Sequence, residues 1–283
     1  MRSECPHQQE GKCDLTAASR NHNLLSKLPT GFTLAATTQV AGRGRGANVW
    51  IAPPGSLIVS TVINHPAHIA TSRPIVFIQY LAALATVEAV KSYDAGYSDF
   101  PIKIKWPNDV YVRDPNKPDE VSYVKVAGIL ANCAYSAGNY QVVLGIGINT
   151  NNARPTTSLD AVLPLLNSSG KKLEPFRIER LLARILTRLE VLYGEFCRNG
   201  FSRDLEGKYY QHWLHSNQIV TLEAEGGVRA RVVGITRDWG MLMAQEVAGD
   251  GSSGALRPTG KVWALQSDEN SFDFWRGLVK RKI

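Results

Sequence analysis

Apolar and polar positions along the first half of the chain follow the two-residue period of strands, interrupted once by a helical period. Phe32–Thr38 is small and β-branched and reads as a strand, and Ser56–Asn64 carries the Leu-Ile-Val-Ser-Thr-Val-Ile run of a buried one. Trp50-Ile51-Ala52 leads into a Pro53-Pro54-Gly55 turn between them. Pro74–Ser92 sets Ile75, Ile78, Leu81, Ala82, Ala85, Val87 and Val90 at spacings near three and four, which predicts a core helix with Pro74 in its first turn. Ile102–Trp106 alternates as a strand up to Pro107. Val110–Val112 and Val121–Ala134 follow as strands across the polar, proline-bearing loop Arg113–Glu120, and Tyr140–Ile148 is another apolar strand. The pattern predicts an α+β unit, a mixed sheet flanked by helices.

Beyond this the period changes. Ser158–Leu166 reads as a short helix, and Arg177–Asn199 as a longer one with Ile178, Leu181, Leu182, Ile185, Leu189, Leu192 and Phe196 on one face. Past His215 the chain breaks into short strands at Gln218–Leu222, Val228–Ile235, Met241–Met243 and Gly260–Leu265, separated by Gly and Asp turns, the pattern of a small β-barrel. The natural cut falls near residue 216. Residues 1–28 are weakly patterned and form an atypical N-terminal segment, with only Asn23–Leu28 resembling a helix end.

Composition adds little to that picture. The 283 residues are 44% hydrophobic and 20% charged, as in ordinary folded proteins. No stretch approaches the roughly 18 apolar residues of a membrane span, and Met1–Leu15 has neither an apolar core nor a cleavage pattern, so a cytoplasmic location without membrane partners is expected. The net charge of +7 is spread over the chain, with a compact basic run only at Lys280–Lys282, so no nucleic-acid partner is expected; attraction to acidic ligands is. Cys5, Cys13, Cys133 and Cys197 are scattered, and Cys5 and Cys13 with His7 lack the second tight ligand pair of a zinc site.

Short segments carry the candidate chemistry. Gly42-Arg43-Gly44-Arg45-Gly46 joins a backbone that can approach an anion to fixed planar cations, the elements of a phosphate or carboxylate clamp or of a solvated turn. Lys105-Trp106-Pro107-Asn108-Asp109 gathers a cation, an aromatic ring and a carboxylate at a strand end, with a β-turn and a core tryptophan as the structural alternative. Lys125 opens the apolar strand Val126-Ala127-Gly128-Ile129-Leu130, facing solvent or a pocket. Gly145-Ile146-Gly147-Ile148-Asn149 is strand-like, lacks the helix start of a dinucleotide fingerprint, and offers a glycine face on which something flat can pack. The phosphate-loop, nucleophile-elbow and His-Glu-x-x-His motifs are missing. His65, His68, His212 and His215 read as surface or packing residues.

In order and separation these segments resemble the biotin–protein ligase family, over the chain from about Pro29 to its end. The form of the Gly/Arg loop up to Trp50 and the segment Asn270-Ser271-Phe272-Asp273 look like its eukaryotic, fungal-like branch. The resemblance implies a class II synthetase-like catalytic unit at 29–215, binding biotin and ATP, and an SH3-like barrel at 216–283. It implies formation of biotinyl-5′-AMP and transfer of biotin to a lysine on acceptor domains of carboxylases such as acetyl-CoA and pyruvate carboxylase. Carried over, Arg43, Arg45, Lys125 and Asp109 would be catalytic. Gln39, Gly42, Gly44, Trp50, Lys105, Trp106, Asn108, Gly128 and Asn149 would contact biotin or the adenylate, and Asp109 would contact magnesium indirectly. The family's Ser-Thr-Asn triplet has no counterpart here; the nearest polar residues are Thr16, Ser19 and Asn21. A catalytically impaired homologue that binds adenylate or acceptor without turnover is the alternative this raises, and a lipoyl-type acyltransferase is disfavoured by Gly42–Arg45 and the C-terminal strands.

Overall fold

The computed structural model describes residues 27–46, 48–152, 156–168, 170–249, 256–267, 270–273 and 276–281. Cys5, Cys13, His7, Thr16, Ser19, Asn21, Lys282 and most of the helix expected at Asn23–Leu28 lie outside them. The chain runs β1 (Thr33–Ala36), β2 (Gln39–Arg43), β3 (Val49–Ala52), β4 (Ser56–Pro66), α1 (Val76–Lys91), β5 (Ile102–Lys105), β6 (Asp109–Arg113), β7 (Tyr123–Ser136) and β8 (Asn139–Asn149). There follow α2 (Leu163–Asn167), α3 (Ile178–Asn199), α4 (Arg203–His212), β9 (Ile219–Leu222), β10 (Val228–Ile235), β11 (Leu242–Gly249), β12 (Leu256–Leu265), β13 (Asn270–Asp273) and β14 (Leu278–Arg281).

Six strands make the first sheet in the order β1-β4-β8-β7-β6-β5, with β2 and β3 paired as a separate hairpin. The expected mixed character is not inside this sheet, whose strand pairings are all antiparallel. Parallel pairing enters at β9 with β14 and at an isolated bridge between Ile104 and Trp213. Helix α1 explains the core. It is buried on nearly every side, from Phe77 to Val90, as an apolar helix must be when a sheet covers one face and other helices the other. Helix α3 packs on it with Leu181, Ile185, Leu189, Leu192 and Phe196, the face its periodicity predicts.

The second sheet has the order β12-β11-β10-β9-β14-β13. The barrel expected past residue 216 is therefore not closed among the described residues: β12 pairs only with β11 and β13 only with β14, so the ladder ends at both. Its apolar residues, including Val220, Leu222, Val232, Leu242 and Phe272, join the same buried cluster as α1. Helix α4 and the strands β13 and β14 are not anticipated by the apolar pattern. In α4 only Leu205 and Tyr209 are buried, and the legible signal is its cap, where the Ser202 hydroxyl accepts from Leu205 N–H at 3.3 Å. No helix among the described residues is long and apolar enough to cross a membrane.

Candidate active site

A cleft of about 780 Å³ opens on the first sheet beneath the β2–β3 hairpin. Gly128 and Leu130 on β7, and Gly145 and Gly147 on β8, line it; of their alternating neighbours, Ala127 and Ile148 belong to the core alone, while Ile129 and Ile146 belong to the core and also border the cleft. The period of two thus puts the cleft and α1 on opposite faces of the sheet.

The Gly/Arg loop is the end of the hairpin. Gly42 lies opposite Trp50, and a Cβ there would stand 2.3 Å from the Trp50 carbonyl oxygen, so the close pairing requires glycine. Gly44 N–H donates to Asn48 O at 2.8 Å, and the Asn48 N–H to Arg45 O at 3.2 Å, closing the turn. Arg43 is exposed at the rim. Arg45 is half-buried, and its Nη2 donates to the Ser267 carbonyl at 2.8 Å, tying the loop to the second sheet. The glycine face of β7 and β8 is covered by protein: Gly128 and Gly147 are cross-strand partners, and the Trp50 indole lies on them. Trp50 Nε1 is buried and finds no hydrogen-bond partner among the described residues.

Charges converge on the other wall. Lys125 Nζ is 2.6 Å from Asp109 Oδ1 and 5.7 Å from the centre of the Trp50 ring, so this lysine reaches into the cleft. Lys105 lies across the strand pair from Asp109, and its Nζ is 5.9 Å from the Tyr111 ring. Burial pushes the Lys105 ammonium below the usual lysine value; Lys125 and Arg45 push the same way, against Asp109 and Asp273. Burial, with Asp109 and Asp273, raises Tyr111 to about 12. Asn108 is a clamp on β7: its Nδ2 donates to Ile129 O at 2.7 Å, and its own carbonyl accepts from Ile129 N–H at 2.9 Å.

Gln39, Arg43, Gly44, Arg45, Trp50, Lys105, Trp106, Asn108, Asp109, Lys125 and Gly128 all line this cleft. Gly42 and Asn149 do not. Gly42 supports the hairpin, and Asn149 is buried at the end of β8, where its Nδ2 donates to Thr156 Oγ1 at 3.0 Å. Trp106 is largely core: 2% of it is exposed, and the indole points back to Tyr80 and Gly240. Ser60, Asn132 and Phe272 also line the cleft and were not among the expected site residues. Ser60 had a signal, a hydroxyl inside an apolar strand run, whereas Phe272 arrives from the far end of the sequence.

Chemically the cleft joins an apolar floor to a wall of Arg43, Arg45, Lys105 and Lys125 with Asp109 as counter-charge. The residues lining it include neither cysteine nor histidine. Such a site suits an anion and the charge that develops on it, with no protein nucleophile. Asp109 is committed to Lys125, and the described residues hold no cluster of three or more His, Cys, Asp or Glu able to bind a metal.

Residues 12–149 match the profile of the biotin/lipoate A/B protein ligase family. The match begins upstream of Pro29, where the resemblance was expected to start. A biotin–protein ligase of Schizosaccharomyces pombe is 42% identical over 94% of this chain and 42% of its own length. The corresponding Homo sapiens protein is 33% identical over 89% of this chain and 32% of its own length. Biotin–protein ligase 2 of Arabidopsis thaliana is 34% identical over 93% of this chain and 73% of its own length. The chain thus spans less than half of the yeast and human relatives. Among solved structures, the biotin protein ligase of Aquifex aeolicus in complex with biotin and ATP superimposes with a TM-score of 0.58 at 23% identity, over 85% of this chain and 91% of that one.

Proposed function

The chain belongs to the biotin–protein ligase family, and from that premise we propose that it is an ATP-dependent ligase joining biotin to a lysine of a carboxylase acceptor domain. The observation that carries the reading is the pairing of a glycine-and-indole floor with the cationic wall of Arg43, Arg45, Lys105 and Lys125. In the first step a biotin carboxylate oxygen attacks the α-phosphorus of ATP, the bond to pyrophosphate breaks, and biotinyl-5′-AMP forms. In the second the acceptor ε-amine attacks the acyl carbon, AMP departs, and the amine gives up a proton.

Negative charge builds on phosphate oxygens in the first step, and cations already fixed in a partly dry cleft stabilise it without reorganising. Arg43, Arg45 and Lys125 take that role, with Lys105 as a further phosphate contact. Trp50, seated on Gly128, bounds the flat part of the ligand, and Gln39 and Gly44 contact it from the hairpin. The second step needs proximity rather than a nucleophilic side chain, and a loop closed over the anhydride keeps water from it. Magnesium comes as part of the MgATP substrate, held mainly by phosphates, and Asp109, paired with Lys125, contacts it indirectly.

The proposal extends to a catalytic unit at 29–215, an SH3-like unit at 216–283 opened between β12 and β13, and a cytoplasmic location. The impaired-homologue alternative rested on the missing triplet, and the family match from residue 12 weakens that motive. The deciding experiment incubates the chain with biotin, MgATP and an apo acceptor domain and follows acceptor mass. A biotin-sized increase that requires ATP is expected; its absence overturns the reading.

A further inference from the structure

Trp106 sits between Lys105 and the Asn108–Asp109 pair, and both of its N–H groups are engaged by groups from distant parts of the chain. Its indole Nε1–H is shared between Tyr80 Oη at 2.9 Å and the Gly240 carbonyl at 3.0 Å, and Tyr80 Oη donates to that carbonyl at 2.7 Å. Its backbone N–H donates to Nε2 of His215 at 2.9 Å. The segment Trp213–His215 runs beside Ile104–Trp106: Leu214 N–H donates to Ile104 O at 2.9 Å, and Ile104 bridges Trp213 in parallel. Strand β5 would otherwise be the open edge of the first sheet, and this segment continues its ladder.

His215 takes over where that backbone pairing stops. Because Nε2 accepts, the ring proton is on Nδ1, which faces Gln218 Oε1 at 3.3 Å. The ring is fully buried, 4.7 Å from the Phe272 ring and 5.4 Å from that of Trp213. Phe272 itself lines the cleft. The imidazole therefore connects the second sheet, the cleft wall and the backbone that carries Lys105 and Asp109.

We infer that His215 is a positioning residue for adenylate formation: its imidazole, wedged between Trp213 and Phe272, holds the Trp106 N–H and so sets where Lys105 and Asp109 stand in the cleft. The inference rests on the functional reading above. It differs from simple packing in requiring an acceptor atom rather than volume. Loss of that acceptor leaves a buried N–H unpaired, and the strand end shifts to find another partner.

The test compares His215→Leu, which fills the space without an acceptor, with His215→Gln, which keeps one. The readouts are biotin-dependent exchange of labelled pyrophosphate into ATP and hydrogen-exchange protection of the Trp106 amide, both on the full chain. The leucine variant is expected to lose about 100-fold in kcat with biotin KM little changed, and the glutamine variant to stay within about fivefold of the unsubstituted chain. Trp106 protection is expected to fall in the first and persist in the second. Equal kcat in the two variants, whether both unchanged or both reduced, overturns the inference. No biotin-dependent exchange in the unsubstituted chain overturns the functional reading instead, and amide protection still reports on the hydrogen bond. If the leucine variant does not fold, Gln218→Leu removes the Nδ1 partner while keeping the ring; about tenfold lower kcat supports the inference and an unchanged kcat overturns it.

Discussion

The Trp50 indole lies so close against Gly147 that a Cβ on that glycine would stand 2.7 Å from the indole Nε1 and Cε2. The glycine face of β8 is thus a fitted bed for a ring carried by the hairpin. Gly147→Ala is expected to lift the ring and raise biotin KM by about tenfold or more, with the thermal midpoint nearly unchanged because the site is at the cleft and not in the core. Steady-state exchange kinetics with a thermal melt check this, and an unaltered KM would show that the bed has no bearing on ligand binding.

Lys125 and Asp109 form the tightest described ion pair of the cleft, 2.6 Å apart. Lys125→Ala and Arg45→Ala are each expected to lower adenylate formation by about 100-fold or more, the usual scale for removing a group aimed at developing charge. Neither is expected to cost much stability, because Lys125 is 38% exposed along its side chain and the pair is partly solvated. AMP release measured at saturating biotin tests both, and unchanged turnover in both would sink the residue assignments.

Burial holds His212 to about 4 and His215 to about 3, against an ordinary 6.5. Nearby Lys91 and Lys103 push His212 the same way; for His215, Lys105 lowers the value and the Gln218 bond opposes. Between those values and 6.5 the unfolded chain binds protons that the folded chain does not. The stability is therefore fully present above the unfolded value and is lost as pH falls toward the folded ones. For fully buried His215 the slope approaches about 1.4 kcal/mol per pH unit. Urea midpoints are expected to drop between about pH 7 and about pH 5, and less steeply in His215→Gln. Equal slopes in the two chains would contradict the burial of a neutral imidazole.

Tyr80 gives its hydroxyl hydrogen to Gly240 O at 2.7 Å from within α1 and stacks on Tyr209 at 5.5 Å. Tyr80→Phe keeps the ring and removes the buried bond, and is expected to destabilise the fold by about 1–2 kcal/mol in urea titration. Because Trp106 Nε1 retains the Gly240 carbonyl, activity is expected to fall less than in His215→Leu.

The sequence made the helices α1 and α3 and the long strands β4, β7 and β8 legible because each carries a strong apolar period. Helix α4 was not, because it buries only Leu205 and Tyr209 and draws its order from a serine cap and tertiary contact. Closure of the C-terminal strands into a barrel is not seen among the described residues, and the sequence could not have decided it, because alternation marks a strand and leaves its partner unspecified. At the site, Lys105, Asp109, Lys125 and the Gly/Arg loop were readable as charge at strand ends. That Trp50 covers the glycines was not, since only folding brings β3 over β8. Phe272 and the role of His215 depend on contacts across more than a hundred positions, as in the Trp106–His215 bond at a separation of 109 residues, and no local pattern records such a contact.

The Arg45 to Ser267 hydrogen bond spans 222 positions, and Phe272, a wall of the cleft, lies beyond it. On a ribosome the chain emerges from the N-terminal side, so α1 and the first sheet can begin to bury their core while residues past Ser267 are still unmade. The cleft gains its last wall only when those residues arrive. A nascent chain can thus hold much of the core and yet lack a finished pocket until the segment beyond Ser267 has been made.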